Sequence, residues 1–561
     1  MEKVWTKNYE KGVRPNLEYP PVPITQFLED TVAKFPNNAA TIFGNGSMDA
    51  VLTYKALNDL VNQFANALTA LGVKKGDRVA IYLPNCPQFV IAYYGTLKIG
   101  AIVAPVNPQY TPRELEHQVN DAGAATIIAL SRFYNNVREV RARTKLKNVI
   151  VTNIKEYFKP VLKLLFTLAK EKKDGHRVTL DAGDRWFQDV LATGATTKPN
   201  VAMKPEDTAV LMYTGGTTGV SKAAELTHKN IVANVLQTRE WFTQSVPGKE
   251  VYLTALPLYH SYAMTSCMNS AMYLGGAMIL IPNPRELAHV LKSIDRHQPT
   301  LFPGVPTLYV ALSNHPDVKK YNLKSIRACM SGAAGLPIEV QKKFQDISGA
   351  RVIEGYGLSE SSPVTHVNPI FGDNRIGTIG VPLPDTDVKL VDVETGTNEV
   401  KLGEPGELCV KGPQVMKAYW NKPDETRNTL RDGWLYTGDI AVMDADGYFR
   451  IVDRKKDMII VGGFNVYPRD VEEVLYQHPK VMEAVVAGIP DARSGEIVKA
   501  YVVLRSGETA TAQELMEFCA KTLTNYKRPK VIEFRETLPK TAVGKILRRQ
   551  LVEEEKQKMA R

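Results

Sequence analysis

A lysine closes the segment Tyr213-Thr214-Gly215-Gly216-Thr217-Thr218-Gly219-Val220-Ser221-Lys222, which follows an apolar, strand-like run from Ala209 to Met212. The three glycines free the backbone to turn tightly and to aim several N–H groups at one anion. The hydroxyls of Thr214, Thr217 and Thr218 and the ammonium of Lys222 add further donors for phosphate oxygens. The chemistry this suits is the cradling of a polyphosphate. A P-loop is excluded, because Val220 stands where the second glycine of GxxxxGK[ST] is required and Ala223 follows the lysine where Ser or Thr would meet magnesium.

Further motifs follow in chain order: Tyr356-Gly357-Leu358-Ser359-Glu360, Tyr436-Thr437-Gly438-Asp439, Asp453-Arg454-Lys455-Lys456-Asp457 and Pro539-Lys540-Thr541-Ala542-Val543-Gly544-Lys545. With the first segment they resemble the motifs of the adenylate-forming superfamily, which includes acyl-CoA synthetases, luciferases and the adenylation domains of peptide synthetases. The likeness covers most of the chain. Ser221 stands where proline is usual, Ala223 where glycine is usual and Ser359 where threonine is usual.

Activating a carboxylate means making an anion attack a polyanion, so the site must neutralise phosphates and hold the reactants in line. Lys222 and the threonine hydroxyls can shield the departing phosphates, and Glu360 is a hard oxygen ligand suited to Mg²⁺ bridging phosphate oxygens. The resemblance gives Glu360 that role, and Ser359 keeps the hydroxyl that would bond the phosphate or the substrate carboxylate. Tyr356, beside Gly357, offers an aromatic face for adenine. The small residues Ser331-Gly332-Ala333-Ala334-Gly335 let backbone lie close to a flat ligand, as the family does beside adenine and the acyl carbon. Asp439 matches the ribose-binding aspartate, with Arg454 as its neighbour. Lys545 matches a mobile catalytic lysine whose ammonium bridges carboxylate and α-phosphate. The resemblance also implies rotation of the C-terminal domain about the position of Lys456, after which Gly463 lines the approach of the thiol.

Amino-acid-activating relatives place an aspartate in the motif matching Leu258-Tyr259-His260-Ser261; here His260 takes its place, as in bacterial long-chain fatty acid CoA ligases, where such a histidine lies beside the acyl entrance. The chain ends sixteen residues after Lys545 without a carrier domain, so coenzyme A is the expected acceptor. The leading reading is ATP-dependent activation of a fatty acid, then transfer to CoA. Alternatives are a ligase for medium-chain or aromatic acids, a donor to a separate carrier protein, or a non-catalytic acyl or nucleotide sensor. A sensor would be expected to lack Lys545, Glu360 or Asp439, and all three are present.

The composition, 44% hydrophobic and 23% charged over 561 residues, is that of a soluble globular protein of two or more domains. No signal-peptide layout and no membrane-spanning apolar run occurs, and the five scattered cysteines read as reduced core residues, so the cytoplasm is expected. The net charge of +10 is concentrated: from Arg132 to Arg177 thirteen Lys or Arg face four Asp or Glu, 13 − 4 = +9. Within that stretch, the segment from Pro160 to Lys170 mixes bulky apolar residues with lysines. It reads either as a helix packed on its own domain with a solvated basic face or as a peripheral contact with anionic membrane. Nothing has the aromatic and basic alternation of a nucleic-acid platform. A homodimer is left open.

Positioning these groups requires an α/β scaffold. Apolar β-rich runs at Arg78 to Leu83, Ala125 to Leu130, Asn148 to Thr152, Val251 to Leu256 and Ala277 to Ile281 alternate with amphipathic segments, the clearest being Tyr54 to Leu71. This predicts largely parallel sheets. The expected layout is a large N-terminal domain, 1–454, of stacked α/β subdomains with a small β-rich subdomain at about 377–454, then a small mobile α+β C-terminal domain, 455–561.

Overall fold

The computed structural model describes residues 3–214, 221–491, 493–541, 544 and 546–559. Its largest sheet has eight strands, in the order Ala418–Tyr419, Lys222–Thr227, Thr208–Thr214, Ile102–Pro105, Arg78–Tyr82, Thr126–Leu130, Asn148–Thr152 and Arg185–Trp186. Pairing is parallel from Thr208–Thr214 to Arg185–Trp186 and antiparallel at the other edge. The expected runs become strands within a residue or two, because each is apolar, β-branched and bounded by a turn or a helix start. A second sheet joins Val251–Thr254, Ala277–Leu280, Ala39–Phe43 and Ala50–Thr53, and a third joins Ala328–Ser331, Arg351–Gly357, Val364–Val367 and Val381–Pro382. Leu301 bridges both, pairing with Tyr252 and with Ala328, so the two run on as one surface.

Between these sheets lies the apolar core. The helix Tyr54–Ala70 begins at Thr53, whose hydroxyl accepts from the Ala56 N–H at 3.2 Å, and buries Leu57, Val61, Phe64, Ala65 and Leu68 on one stripe. It packs so tightly on the helix Pro87–Lys98 that a Cβ at Gly95 would come within 2.9 Å of the Phe64 ring. All five cysteines are free and buried, as expected of reduced core residues. Among the described residues no helix is long and apolar enough to cross a membrane.

A five-stranded sheet, built from Asp387–Val391, Gly406–Lys411, Leu430–Arg431, Trp434–Met443 and Phe449–Arg454, occupies the β-rich stretch. It is not self-contained: Ala418–Tyr419 leaves it to pair with Lys222–Thr227 of the large sheet. The last portion forms its own five-stranded sheet from Ile459–Val461 to Val531–Phe534 around a separate core that includes Val471, Leu475, Val486, Val502 and Leu515.

One buried amide links the core to the loop that carries His260. Asn85 donates to the carbonyls of Thr254 and Leu256 at 2.9 and 2.7 Å and accepts from the Leu258 N–H at 2.8 Å. Replacing it with alanine leaves those groups without these partners, each at about 1–3 kcal/mol. Asn85→Ala is expected to lower stability by roughly 3 kcal/mol in urea melts. An unchanged midpoint would show that the loop is held elsewhere.

Candidate functional site

The strands Thr208–Thr214 and Lys222–Thr227 form a hairpin whose last pair is Thr214 opposite Lys222. The connecting residues, with Gly215, Gly216, Thr217, Thr218 and Gly219, lie outside the described residues. Their mouth is framed by two hydrogen bonds: the Thr214 hydroxyl donates to the Lys222 carbonyl at 3.3 Å, and the Ser221 hydroxyl to the Thr214 carbonyl at 2.8 Å. Ala223, where a glycine is usual, stands opposite Tyr213 with its methyl buried in the apolar core.

Lys222 points its ammonium over the Tyr419 ring, 4.0 Å from the centroid, and pairs with Glu425 at 2.8 Å. The Tyr419 hydroxyl donates to Glu360 Oε1 at 2.6 Å, and burial together with that carboxylate pushes its pKa up, keeping it a donor. Glu360 sits in the short helical turn Ser359–Ser361, and Ser359 Oγ lies 3.2 Å from Ser261 Oγ. Ammonium, phenol and carboxylate therefore form one chain of contacts across the site. Tyr419 and Glu425 had no signal in the sequence, since a tyrosine in a two-residue strand belongs to no local pattern.

Tyr356 ends the strand Arg351–Gly357 with its hydroxyl on Asp439 Oδ2 at 2.6 Å. The other Asp439 oxygen meets Arg454 Nε at 3.2 Å, across a pair of facing residues in the β-rich sheet. Burial, then Asp439, raises the Tyr356 pKa well above the ordinary value, so the phenol remains protonated. Beside this clasp a cavity is lined by His260, Tyr262, Met330, Gly332, Ala333 and Gly357, among others. A Cβ at Gly332 would come 3.0 Å from the Tyr262 ring, and one at Gly357 would strike the Pro363 carbonyl, so bare backbone forms the wall on both sides. Ala333 holds a left-handed φ of 67°, a costly conformation for alanine that turns the chain at the cavity rim.

The C-terminal portion reaches this region through two contacts. A Cβ on Gly544, φ 77°, would strike the Thr307 hydroxyl, which sets Gly544 beside Val305–Thr307; Lys545 itself lies outside the described residues. Arg469 is the second contact: its guanidinium lies against Gly335, 3.6 Å from Glu354 Oε1 and 3.1 Å from Glu473. Neither Arg469 nor Glu354 belongs to a motif singled out above, and only folding brings them together. Lys456 is exposed at the junction, which Arg548 ties down through Asp457 at 2.9 Å and Asp453 at 3.5 Å. Gly463 occupies a hairpin tip with φ 85°, where an added Cβ would meet nothing within 4 Å; this arrangement does not bring it to the cavity.

A cavity lined by Gly332, Ala333, Tyr356 and Ser359, a carboxylate clasp on Tyr356 and a hairpin ending in Lys222 are features of a nucleotide-activating enzyme of two unequal domains. The family described as AMP-binding enzyme matches residues 28–420, and its C-terminal domain matches residues 470–545. The chain belongs to this family of adenylate-forming enzymes. A long-chain-fatty-acid–CoA ligase of Bacillus subtilis is 45% identical over 558 residues, 99% of this chain and 98% of the relative. One of Escherichia coli O6:H1 is 42% identical over 571 residues, 100% of this chain and 99% of the relative. Among solved structures, an anthranilate CoA ligase in complex with anthranoyl-AMP superposes with a TM-score of 0.86 at 28% identity, covering 97% of this chain and 99% of its own.

Burial holds the Glu354 carboxyl up at about 7, against an ordinary 4.5, and Arg469 offsets this only in part. The folded protein thus keeps a proton that the unfolded chain releases. The resulting stability is fully present below the unfolded pKa and lost as pH rises through about 7. Glu354→Gln should therefore gain stability relative to the parent, on the order of 1–3 kcal/mol, between about pH 5 and pH 8. Thermal melts of both proteins across that range check it, and a constant difference would contradict the assignment.

Proposed function

We propose that the chain is an ATP-dependent long-chain fatty acid CoA ligase, which forms an acyl-adenylate with release of pyrophosphate and then passes the acyl group to coenzyme A. What supports this is that the cavity is lined by Tyr356, which belongs to the Tyr356–Asp439–Arg454 clasp, and by Ser359, the neighbour of Glu360 in the Lys222–Tyr419–Glu360 chain. Whole-length identity of 42–45% to relatives named long-chain-fatty-acid–CoA ligase supports the choice of acid.

In this reading Asp439 accepts the ribose hydroxyls, fixed by Tyr356 and Arg454, while the bare backbone at Gly332 and Ala333 takes the flat base. Lys222 exchanges its rim partner Glu425, 46% exposed, for phosphate oxygens. A pair so open contributes little, so a polyphosphate displaces it readily. Among the described residues no group of three or more His, Cys, Asp or Glu forms a metal cage. A lone Glu360, with one oxygen fixed by Tyr419, instead suits Mg²⁺ shared with substrate phosphates, to which the ion would supply charge neutralisation. Ser359 orients the acyl carboxylate, His260 stands at the acyl side of the cavity, and Lys545 bridges carboxylate and α-phosphate as charge shifts. Rotation at Lys456 then withdraws Lys545 and brings Gly463 to the thiol path. The proposed boundary of the two domains is 454/455, and the proposed setting is the cytoplasm, with peripheral contact at the membrane.

Pyrophosphate release measured over acids of graded length, with and without CoA, tests the reaction. Long-chain acids should give the highest kcat/KM and CoA should permit multiple turnovers; a preference for aromatic or medium-chain acids, or indifference to CoA, would replace the reading. Lys545→Ala is expected to reduce adenylation by at least about 100-fold while sparing thioester formation from supplied acyl-adenylate. Equal loss in both half-reactions would remove Lys545 from the role.

A further inference from the structure

The helix Pro160–Ala169 presents only one side to the protein. On that side the Phe166 ring packs edge-on against Phe158 and His176, with centroids 5.7 and 5.5 Å apart, and Lys155 reaches the Thr167 hydroxyl at 2.9 Å. The opposite side carries Val161, Leu164, Leu165 and Leu168, exposed by 62, 59, 50 and 77%. Their spacing of i, i+3, i+4 and i+7 sets them in one stripe. Leu162 and Phe166, apolar in the same stretch of sequence, are half-buried instead. Four large aliphatic side chains thus stand together in water, with none of the described residues over them.

Charge around the stripe is one-sided. Lys155 and Arg177 are taken by Glu171, and Lys163 by Glu156. Lys159 before the helix and Lys170, Lys172 and Lys173 after it are exposed and enter no ion pair among the described residues, with Asp174 as their acidic neighbour. A second copy meeting this face about a two-fold axis would set these lysines against their own images, which is repulsive. A bilayer surface of anionic lipid complements both features. At ten residues the helix is too short to span and has the build of one that lies in the interface plane.

We propose that this face docks on an anionic membrane, with Val161, Leu164, Leu165 and Leu168 entering the acyl boundary and Lys159, Lys170, Lys172 and Lys173 on lipid phosphates. The docked face is firmly tied to the site. Glu171, just past the helix, accepts from Asn153 at 2.9 Å; the Asn153 carbonyl accepts from Gln88 at 3.0 Å; and Asn85, three residues earlier, holds the turn before His260. Docking therefore fixes the orientation of the loop that carries His260 relative to the bilayer. The value of that orientation rests on the fatty-acid reading, whereas the docking does not.

Sedimentation of the full chain, without substrates, against phosphatidylcholine vesicles and against vesicles half phosphatidylglycerol tests the surface. The parent should bind the anionic vesicles at about 50 mM salt and at least tenfold less at about 500 mM. Reversing the four lysines together (K159E, K170E, K172E and K173E) should weaken low-salt binding by at least about tenfold. The exposed set L164S, L165S and L168S should weaken it at both salt concentrations with an unchanged melting curve. Absence of low-salt binding, or binding indifferent to both sets, overturns the proposal. So does a parent dimer, seen by analytical ultracentrifugation, that the leucine set splits while vesicle binding persists. Since no substrate is present, either outcome is independent of the reaction the chain catalyses.

Discussion

The site depends on a neutral ring held between opposite charges. Lys222 and Glu360 both face Tyr419, one over its ring and one at its hydroxyl. Left to approach each other at about 4 Å, an ammonium and a carboxylate attract by roughly 4 kcal/mol at an effective dielectric constant of 20. Such a pair would deny the ammonium to a phosphate and the carboxylate to a cation. Tyr419 gives each a weaker partner, a π face and a single hydrogen bond, and the rim residue Glu425 completes the neutralisation of Lys222 where water already screens the pair. Both groups are thus satisfied without being paired to each other.

That arrangement accounts for a feature of the topology with no other evident use. Tyr419 sits on a two-residue strand that leaves the β-rich sheet and pairs with Lys222–Thr227, its register setting Tyr419 opposite Ala224. The Lys417 N–H to Glu225 carbonyl and the Trp420 N–H to Ala223 carbonyl bonds fix the same crossing, at 3.0 and 2.9 Å. On the far side, the same β-rich sheet supplies Asp439 and Arg454 to the Tyr356 clasp. The β-rich stretch of chain therefore contributes to both groups, Tyr419 through its pairing with the large sheet and Asp439 and Arg454 through its own sheet.

Polar side chains tie the smaller domain to the larger. Arg469 reaches Glu354, a buried residue two positions before Tyr356, and Arg548 gathers Asp453, Asp457 and Glu472 at the junction. Polar contacts of this kind differ from an interlocked apolar core, since water or a new partner can replace each of them. Glu354 also connects domain position to the strand that ends at the nucleotide clasp.

Strand runs such as Asn148–Thr152, the capped helix at Tyr54 and the motif residues Tyr356, Glu360, Asp439 and Lys222 were legible in the amino-acid order alone, because period, caps and short motifs are local properties. The buried cysteines were legible for the same reason: isolated thiols without pairing or ligand spacing have the core as their ordinary place. Sequence could not reveal Tyr419 between Glu360 and Lys222, nor Arg469 on Glu354, since these contacts join residues 59, 197 and 115 positions apart through sheet order and domain packing. Nor could it decide which side of the helix Pro160–Ala169 faces the protein, because its apolar residues nearly encircle it. Tertiary packing buried Phe166 and left Val161, Leu164, Leu165 and Leu168 in water, since only the first has a partner surface within reach.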